Sequence, residues 1–323
     1  MRELAGARLF ITGGTGFFGK WLLESLAYAN DVLGCDIRAT ILTRNPQRFL
    51  TEEMPHLKNR AEFSWMAADV TQFDFPAEAY DYILHLATFT SAHVEKTEPL
   101  EMLTAKFLAT RRVLDFARHC NACRVLVTSS GAVYGPQPPT LERIPEDYQG
   151  APDPLLPSSA YGNGKRMVEQ LCAIAPDVDS VIARCFSFLG PHLPLDARYA
   201  AGNFLRDAMA GGPIIIHSDG LARRSYLHPA DLVIWLLTLL LRGKKGKAYN
   251  VGSDEAVTVK ELANQIAAMA PNPIDVHIED RTSPPAAAYV PSIEQARAEL
   301  GLDVVLTLPD AVHRAVRWLH GEN

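Results

Sequence analysis

At 323 residues the chain is long enough for a large core, and typical domain sizes allow two lobes as readily as one. A net charge of −6 with no long basic block argues against nucleic acid as a partner, and nothing in the composition points to disorder. The longest apolar run, 232–241, falls well short of the roughly 20 residues a bilayer span needs, so no membrane association is expected and the run should be a buried helix.

The start, Met1-Arg2-Glu3-Leu4, runs almost directly into a strand signal at 8–12 and leaves no room for a signal peptide, so a cytoplasmic location is expected. That strand opens into Thr12-Gly13-Gly14-Thr15-Gly16-Phe17-Phe18-Gly19 and then a helix over 16–28 carrying Trp21, Leu22 and Leu26. Gly13, Gly16 and Gly19, with Thr15, Phe17 and Phe18 between them, form a glycine-rich turn at a helix start, where backbone N–H groups meet a pyrophosphate. Residues 14–20 also satisfy G-x-x-x-x-G-K, but Trp21 stands where that motif needs a magnesium-binding hydroxyl, which argues against a nucleotide triphosphatase. The second strand, 39–42, leads into Thr43-Arg44-Asn45. An acidic residue there would bind a free ribose 2′-hydroxyl, whereas Arg44 favours a 2′-phosphate. NADP(H) is therefore expected, with NAD(H) possible. Arg48 is a weaker contact, stacking on adenine is the other use for such an arginine, and Asp36 is the competing acid if the strand boundary shifts.

Strands at 63–67 and 82–86 bring Asp69-Val70 and Leu86-Ala87-Thr88 to strand ends where adenine and ribose contacts are expected. A long helix over 98–120 follows, then a strand at 124–129 ending in Ser130, whose hydroxyl is placed to hydrogen-bond a substrate oxygen, although serines before a glycine also serve as plain turn residues. Tyr161 and Lys165 share one face of a helix over 160–173, and a cation beside a phenol favours the phenolate. A sixth strand falls at 181–185. This alternation predicts a doubly wound parallel α/β sheet, a Rossmann dinucleotide-binding domain over 1–190. Beyond it, prolines 191, 194, 213, 229, 271, 273, 284, 285 and 291 break the rhythm and predict a smaller C-terminal mixed α/β lobe over 191–323, with a strand near 249–251 able to return to the main sheet. Five scattered cysteines fit reduced, packed thiols; Cys120 and Cys123 have C-x-x-C spacing without a second pair, so no metal site is expected.

These residues together resemble the extended short-chain dehydrogenase/reductases of the nucleotide-sugar epimerase/dehydratase family. The resemblance runs from the glycine turn through His85-Leu86-Ala87, Ser130…Tyr134-Gly135 and Tyr161-x-x-x-Lys165 to Gly202-Asn203-Phe204, Arg224-Ser225-Tyr226, Tyr249-Asn250-Val251-Gly252 and Arg281. It implies Ser130, Tyr161 and Lys165 as catalytic residues, a nucleoside diphosphate sugar as ligand, and Asn203, Arg224 and Arg281 as its pyrophosphate contacts. It also implies a homodimer built on the helices at 98–120 and 160–173. Two polar positions depart from the family pattern: an asparagine usual early in the long helix is Lys106, and the asparagine expected after the sixth strand is Ser187, here taken as a substrate contact.

The family's 4,6-dehydratases carry an Asp-Glu pair directly after the catalytic hydroxyl residue, and related decarboxylases keep the Glu. Gly131 and Ala132 stand there in this chain, so the redox machinery is kept without the extra acid and base. The expected activity is an NADPH-dependent 4-ketoreductase of a nucleoside diphosphate 4-keto-6-deoxyhexose. The alternative is an NAD-dependent nucleotide-sugar 4-epimerase; a 4,6-dehydratase or a non-catalytic NADP-binding protein has less support, the latter because the Tyr/Lys pair is retained.

Overall fold

A computed structural model describes residues 1–87, 98–195, 199–270, 272, 274–279 and 287–321. Six short apolar runs form β1 (Arg8–Thr12), β2 (Arg38–Thr43), β3 (Phe63–Ala67), β4 (Tyr82–His85), β5 (Arg124–Ser130) and β6 (Ser180–Cys185). Shorter strands follow: β7 (Ile214–Ile216), β8 (Arg223–Arg224), β9 (Ala248–Val251), β10 (Val257–Thr258), β11 (Val276–Ile278) and β12 (Ala288–Tyr289). The helices are α1 (Phe17–Leu33), α2 (Pro99–His119), α3 (Ala160–Ala173), α4 (Ala200–Met209), α5 (Pro229–Arg242), α6 (Val259–Met269), α7 (Glu294–Leu300) and α8 (Leu308–Leu319).

The main sheet has seven strands in the order β3-β2-β1-β4-β5-β6-β9, and the β1–β2, β2–β3, β1–β4 and β4–β5 pairs are parallel. The chain starts in the middle of this sheet, winds outward to β3 and then outward the other way. Right-handed crossovers therefore put helices on both faces and turn the ends of β1 and β4 toward a common crevice. This is the doubly wound α/β sheet that the sequence alternation predicts. Its core is aromatic: Phe10 of β1 packs against Phe73, Tyr80 and Phe116 at centroid separations of 5.4, 5.3 and 4.7 Å.

The chain divides into two compact units that interleave along the sequence. One comprises Met1–Val133, Asp153–Arg184 and Val233–Ala248; the other comprises Tyr134–Pro152, Cys185–Leu232 and Tyr249–Asn323. A linear division at residue 190 matches only the crossing near Arg184, because the apolar run in α5 returns to the first unit. Within that unit the Arg124 guanidinium donates to the carbonyls of Leu240 and Gly243 at 3.3 and 2.9 Å and to Asp179 Oδ2 at 2.9 Å, so one β5 side chain caps the end of α5. In α5, Leu232, Trp235, Leu236, Leu239 and Leu240 are all buried, as expected of that run.

The second unit is organised around Asn250, whose side chain is fully buried. Its amide donates to the Ile144 and Ser292 carbonyls at 2.8 and 3.0 Å, and its Oδ1 accepts the Tyr134 hydroxyl at 2.8 Å. There β8 pairs antiparallel with β10 and parallel with β12, while β7 and β11 form a separate parallel pair. Among the described residues no helix is long and apolar enough to cross a membrane. The five cysteines are separate thiols, and Cys123 is exposed, which departs from the expectation that all are packed.

Replacing Arg124 with Met strands the α5 carbonyls and Asp179 together. Arg124→Met should lower unfolding free energy by about 1.5–3 kcal/mol, read from urea denaturation.

Candidate functional site

The glycine turn closes onto the neighbouring strand end. Gly13 has φ +73°, and a Cβ there would lie 2.5 Å from the Ala87 nitrogen, so only glycine lets β1 turn this close to the β4 end. A Cβ on Gly19 would lie 2.3 Å from the Gly14 carbonyl, so the first turn of α1 presses directly on the loop. The N-cap of α1 is Gly16, which brings no side chain to cap the turn, and no acidic residue sits in the first turn with Phe17 and Phe18. The helix end therefore keeps its positive character toward the crevice. These features fit the pyrophosphate of a dinucleotide. Lys20 is committed elsewhere, to Glu53 at 2.7 Å, which also removes it from a triphosphate-loop role.

Thr15 Oγ1 shares a hydrogen bond with Thr43 Oγ1 at 3.3 Å and so ties the turn to the end of β2. Arg44 follows directly and is exposed, whereas Asp36 precedes β2 at its opposite end, so Asp36 cannot act as the ribose acid. Asn45 caps a short helical turn by accepting the Arg48 N–H at 3.0 Å, and Arg48 pairs with Glu52 at 3.1 Å, which leaves Arg44 as the cation at the strand end. Asp69 Oδ1 accepts the Thr71 N–H and hydroxyl at 2.9 and 2.6 Å, fixing the turn that presents Asp69 and Val70 after β3. Leu86 and Ala87 sit beside Gly13, their N–H groups donating to the carbonyl and hydroxyl of Thr12 at 3.0 and 3.3 Å. Thr88 lies outside the described residues.

Ser130 is the last residue of β5 rather than the first beyond it, because its buried Oγ accepts the Ala132 N–H at 3.2 Å and starts the 3-10 turn Gly131–Tyr134. Tyr161 and Lys165 lie one turn apart in the first half of α3. Lys165 is buried and its Nζ donates to the Thr128 carbonyl at 2.7 Å, two residues before Ser130. Four further bonds hold α3 to the same unit. Ser129 Oγ donates to Glu169 Oε1 at 2.5 Å, Arg184 donates to both Glu169 oxygens at 3.0 and 2.8 Å, and Arg166 donates to the Val133 carbonyl at 3.1 Å. The three predicted catalytic residues are thus carried by adjoining elements of one unit.

The structure adds groups that the sequence did not single out as a set. His85, buried, bonds Thr12 Oγ1 through Nδ1 at 2.8 Å and Thr110 Oγ1 through Nε2 at 3.4 Å, while its backbone carbonyl accepts the Thr128 hydroxyl at 3.1 Å. This chain runs under Lys165, through β1, β4, β5 and α2. Lys106 of α2 is also buried, and its Nζ lies 4.9 Å from the centroid of the Tyr161 ring.

In the second unit Ser187 is half-buried, and its carbonyl accepts the Leu227 N–H at 3.0 Å. Asn203 lies on α4 with its Oδ1 accepting from Arg206 at 3.2 Å. Arg224 on β8 donates to the carbonyls of Arg223 and Ala287, both at 2.8 Å. Arg281 lies outside the described residues. No cluster of three or more potential metal ligands occurs among the described residues.

A family profile described as "NAD dependent epimerase/dehydratase family" matches residues 9–252. Among curated relatives, UDP-glucuronic acid decarboxylase 6 of Arabidopsis thaliana is 26% identical over 310 residues, covering 94% of this chain and 86% of that protein. Among solved structures, the epimerase Mth375 of Methanothermobacter thermautotrophicus superposes with a TM-score of 0.83 at 24% identity, covering 99% of this chain and 94% of that one. UDP-glucose 4-epimerase of Thermotoga maritima, solved with UDP-glucose, gives 0.82 at 18% identity, covering 97% and 99%. These likenesses bear out the fold.

Burial pushes the His85 pKa down to about 3, with the Lys165 ammonium adding to the effect. The unfolded chain takes up that proton near pH 6.5 and the folded chain only near 3, so the stabilisation is full above about 6.5 and is lost as pH falls between them. Urea denaturation at pH 7 and pH 5 should show a loss of about 2 kcal/mol from this group, and His85→Gln should remove that part of the pH dependence.

Proposed function

Because this chain belongs to the NAD-dependent epimerase/dehydratase family, we propose that it is an NADPH-dependent 4-ketoreductase of a nucleoside diphosphate 4-keto-6-deoxyhexose. The observation that carries this reading is the turn after Ser130. Gly131 and Ala132 place no carboxylate beside the Ser130, Tyr161 and Lys165 group, and the nearest glutamate on α3, Glu169, is held by Ser129 and Arg184. Elimination of water or loss of carbon dioxide needs another acid or base there, whereas reduction of a carbonyl needs one proton donor.

A nicotinamide dinucleotide, when bound, supplies the hydride that reaches C4. Gly13, Thr15, Gly16, Phe17, Phe18 and Gly19 would hold its pyrophosphate, and Asp69, Val70, Leu86 and Ala87 its adenosine side. Ser130 donates its hydroxyl hydrogen to the C4 oxygen and polarises the carbonyl. Tyr161 passes its phenolic proton to that oxygen as the alkoxide forms, and solvent then restores the phenol. Lys165, fixed on the Thr128 carbonyl, favours the phenolate left behind and would also hold the nicotinamide ribose. Asn203 and Arg224, with Arg281, bind the sugar's diphosphate, the arginines by charge-assisted bonds. The exposed Leu100, Phe107 and Leu108 share one face of α2 and support a homodimer through that helix.

The test couples a 4,6-dehydratase and its nucleotide hexose to this protein and follows NADPH absorbance together with product mass. A gain of two hydrogens over the keto intermediate is expected, and Tyr161→Phe should lower kcat by about 10²- to 10⁴-fold with nucleotide affinity nearly intact. Isomerisation of a saturated sugar nucleotide with no added cofactor and no change in mass would put the 4-epimerase in its place.

Cofactor choice rests on Arg44 at the exposed end of β2. Arg44→Ala should weaken NADPH binding by about 1.5–3 kcal/mol while leaving NADH nearly unchanged, measured by isothermal titration. Equal losses for both cofactors would remove Arg44 from phosphate recognition.

A further inference from the structure

An ammonium group buried in a helix–helix contact has to be held there by something packing alone does not supply, since leucine or methionine would fill the same volume without desolvating a charge. Lys106 is only 3% exposed, and its Nζ stands over the face of Tyr161, 4.9 Å from the ring centroid. Its stem crosses α3 at Gly164, the residue between Tyr161 and Lys165 on the same face of the helix. A Cβ at that glycine would lie 3.0 Å from Lys106 Cδ and 2.9 Å from Leu103 Cδ2. The passage for the lysine is therefore built into the helix that carries the tyrosine.

The charged and polar groups around this contact come from four elements. Lys165 on α3 is fixed to the Thr128 carbonyl, Ser130 ends β5, Thr110 lies one turn along α2 from Lys106, and His85 on β4 is neutral above about pH 3. Glu169, an acidic side chain tied to this end of β5 through Ser129, is neutralised by Arg184.

We infer that Lys106 is a positioning residue for the proton donor: a second cation, from a different helix than Lys165, that orients the Tyr161 ring and stabilises its phenolate form. A cation over an aromatic face is attracted to the ring's negative quadrupole. Removing the phenolic proton adds electron density to the ring, so the attraction grows and the phenolate gains more than the phenol. Two lysines thus act on one tyrosine, Lys165 as the cation one turn farther along α3 and Lys106 over the ring face. This rests on Tyr161 as the proton donor proposed above, but the contact can be measured apart from turnover.

The experiment is a tyrosinate absorbance titration of the protein with NADP⁺ bound, comparing the wild type with Lys106→Met, Lys106→Gln and Lys106→Arg, the Tyr161 transition being identified by its loss in Tyr161→Phe. Lys106→Met and Lys106→Gln should raise that transition by about one pH unit, and Lys106→Arg should keep it near the wild-type value. The pH profile of kcat in the coupled assay should shift with it. Circular dichroism establishes which variants fold. Gly164→Ala, which crowds the lysine stem while keeping the charge, should give a smaller shift in the same direction and serves if both neutral variants fail to fold. An unchanged transition in any folded neutral variant, or in folded Gly164→Ala where neither neutral variant folds, overturns the inference. Normal turnover in Tyr161→Phe would instead overturn the proton-donor reading while leaving the titration result standing.

Discussion

The chemistry proposed for Tyr161 and Lys165 depends on how tightly α3 is fastened to the carboxyl ends of β5 and β6. A helix carrying Tyr161 and Lys165 on one face has no reason to stop at a particular rotation or height unless polar contacts select one. Lys165 on the Thr128 carbonyl sets the height, and Glu169, bridging Ser129 and Arg184, sets the rotation one turn farther on. Both contacts are charge-assisted and shielded from water, which makes misplacement costly. Ser130 then falls into place because the two residues before it, Thr128 and Ser129, are the ones gripped.

Beneath this clamp, the Thr12–His85–Thr110 chain carries the same logic into the sheet. A neutral imidazole between two hydroxyls gives both of its ring nitrogens a partner without introducing a charge near Lys165. A protonated His85 would oppose that lysine directly. The glycine turn and α3 are consequently linked through His85 of β4, whose ring bonds Thr12 at the end of β1 and whose carbonyl accepts the hydroxyl of Thr128, the residue that holds Lys165.

Much of this was legible in the sequence because it is local. Strands appear as short apolar runs, and β1, buried along all but its first residue, and β3, half-exposed at the sheet edge, begin and end where those runs do. Helix α1 continues to Leu33, past the apolar pattern that suggested 16–28, because its stop signal is Gly34 in the left-handed region and Asn30 reaches forward to both backbone groups of Ile37. The spacing of Tyr161 and Lys165 is likewise a property of one helix. What stayed hidden is set by pairs of distant segments. A lysine on an amphipathic helix ordinarily faces water, and Lys106 is buried only because Gly164 leaves room across the interface. The two- and three-residue strands β7, β8, β10, β11 and β12 are too short to carry a period, so the second unit gave little signal beyond its prolines.

The position of β9 bears on the order in which the chain is made. It stands beside β6 in the sheet, yet 62 residues lie between Cys185 and Ala248. As the polypeptide leaves the ribosome, β6 must wait as an unpaired edge with its backbone groups open to other strands until that later segment emerges. The α5 residues that complete the same unit arrive in the same interval. A truncation placed after the sixth strand would thus release a sheet lacking its last strand and its α5 cover, and the exposed edge would favour aggregation over an independently soluble nucleotide-binding fragment.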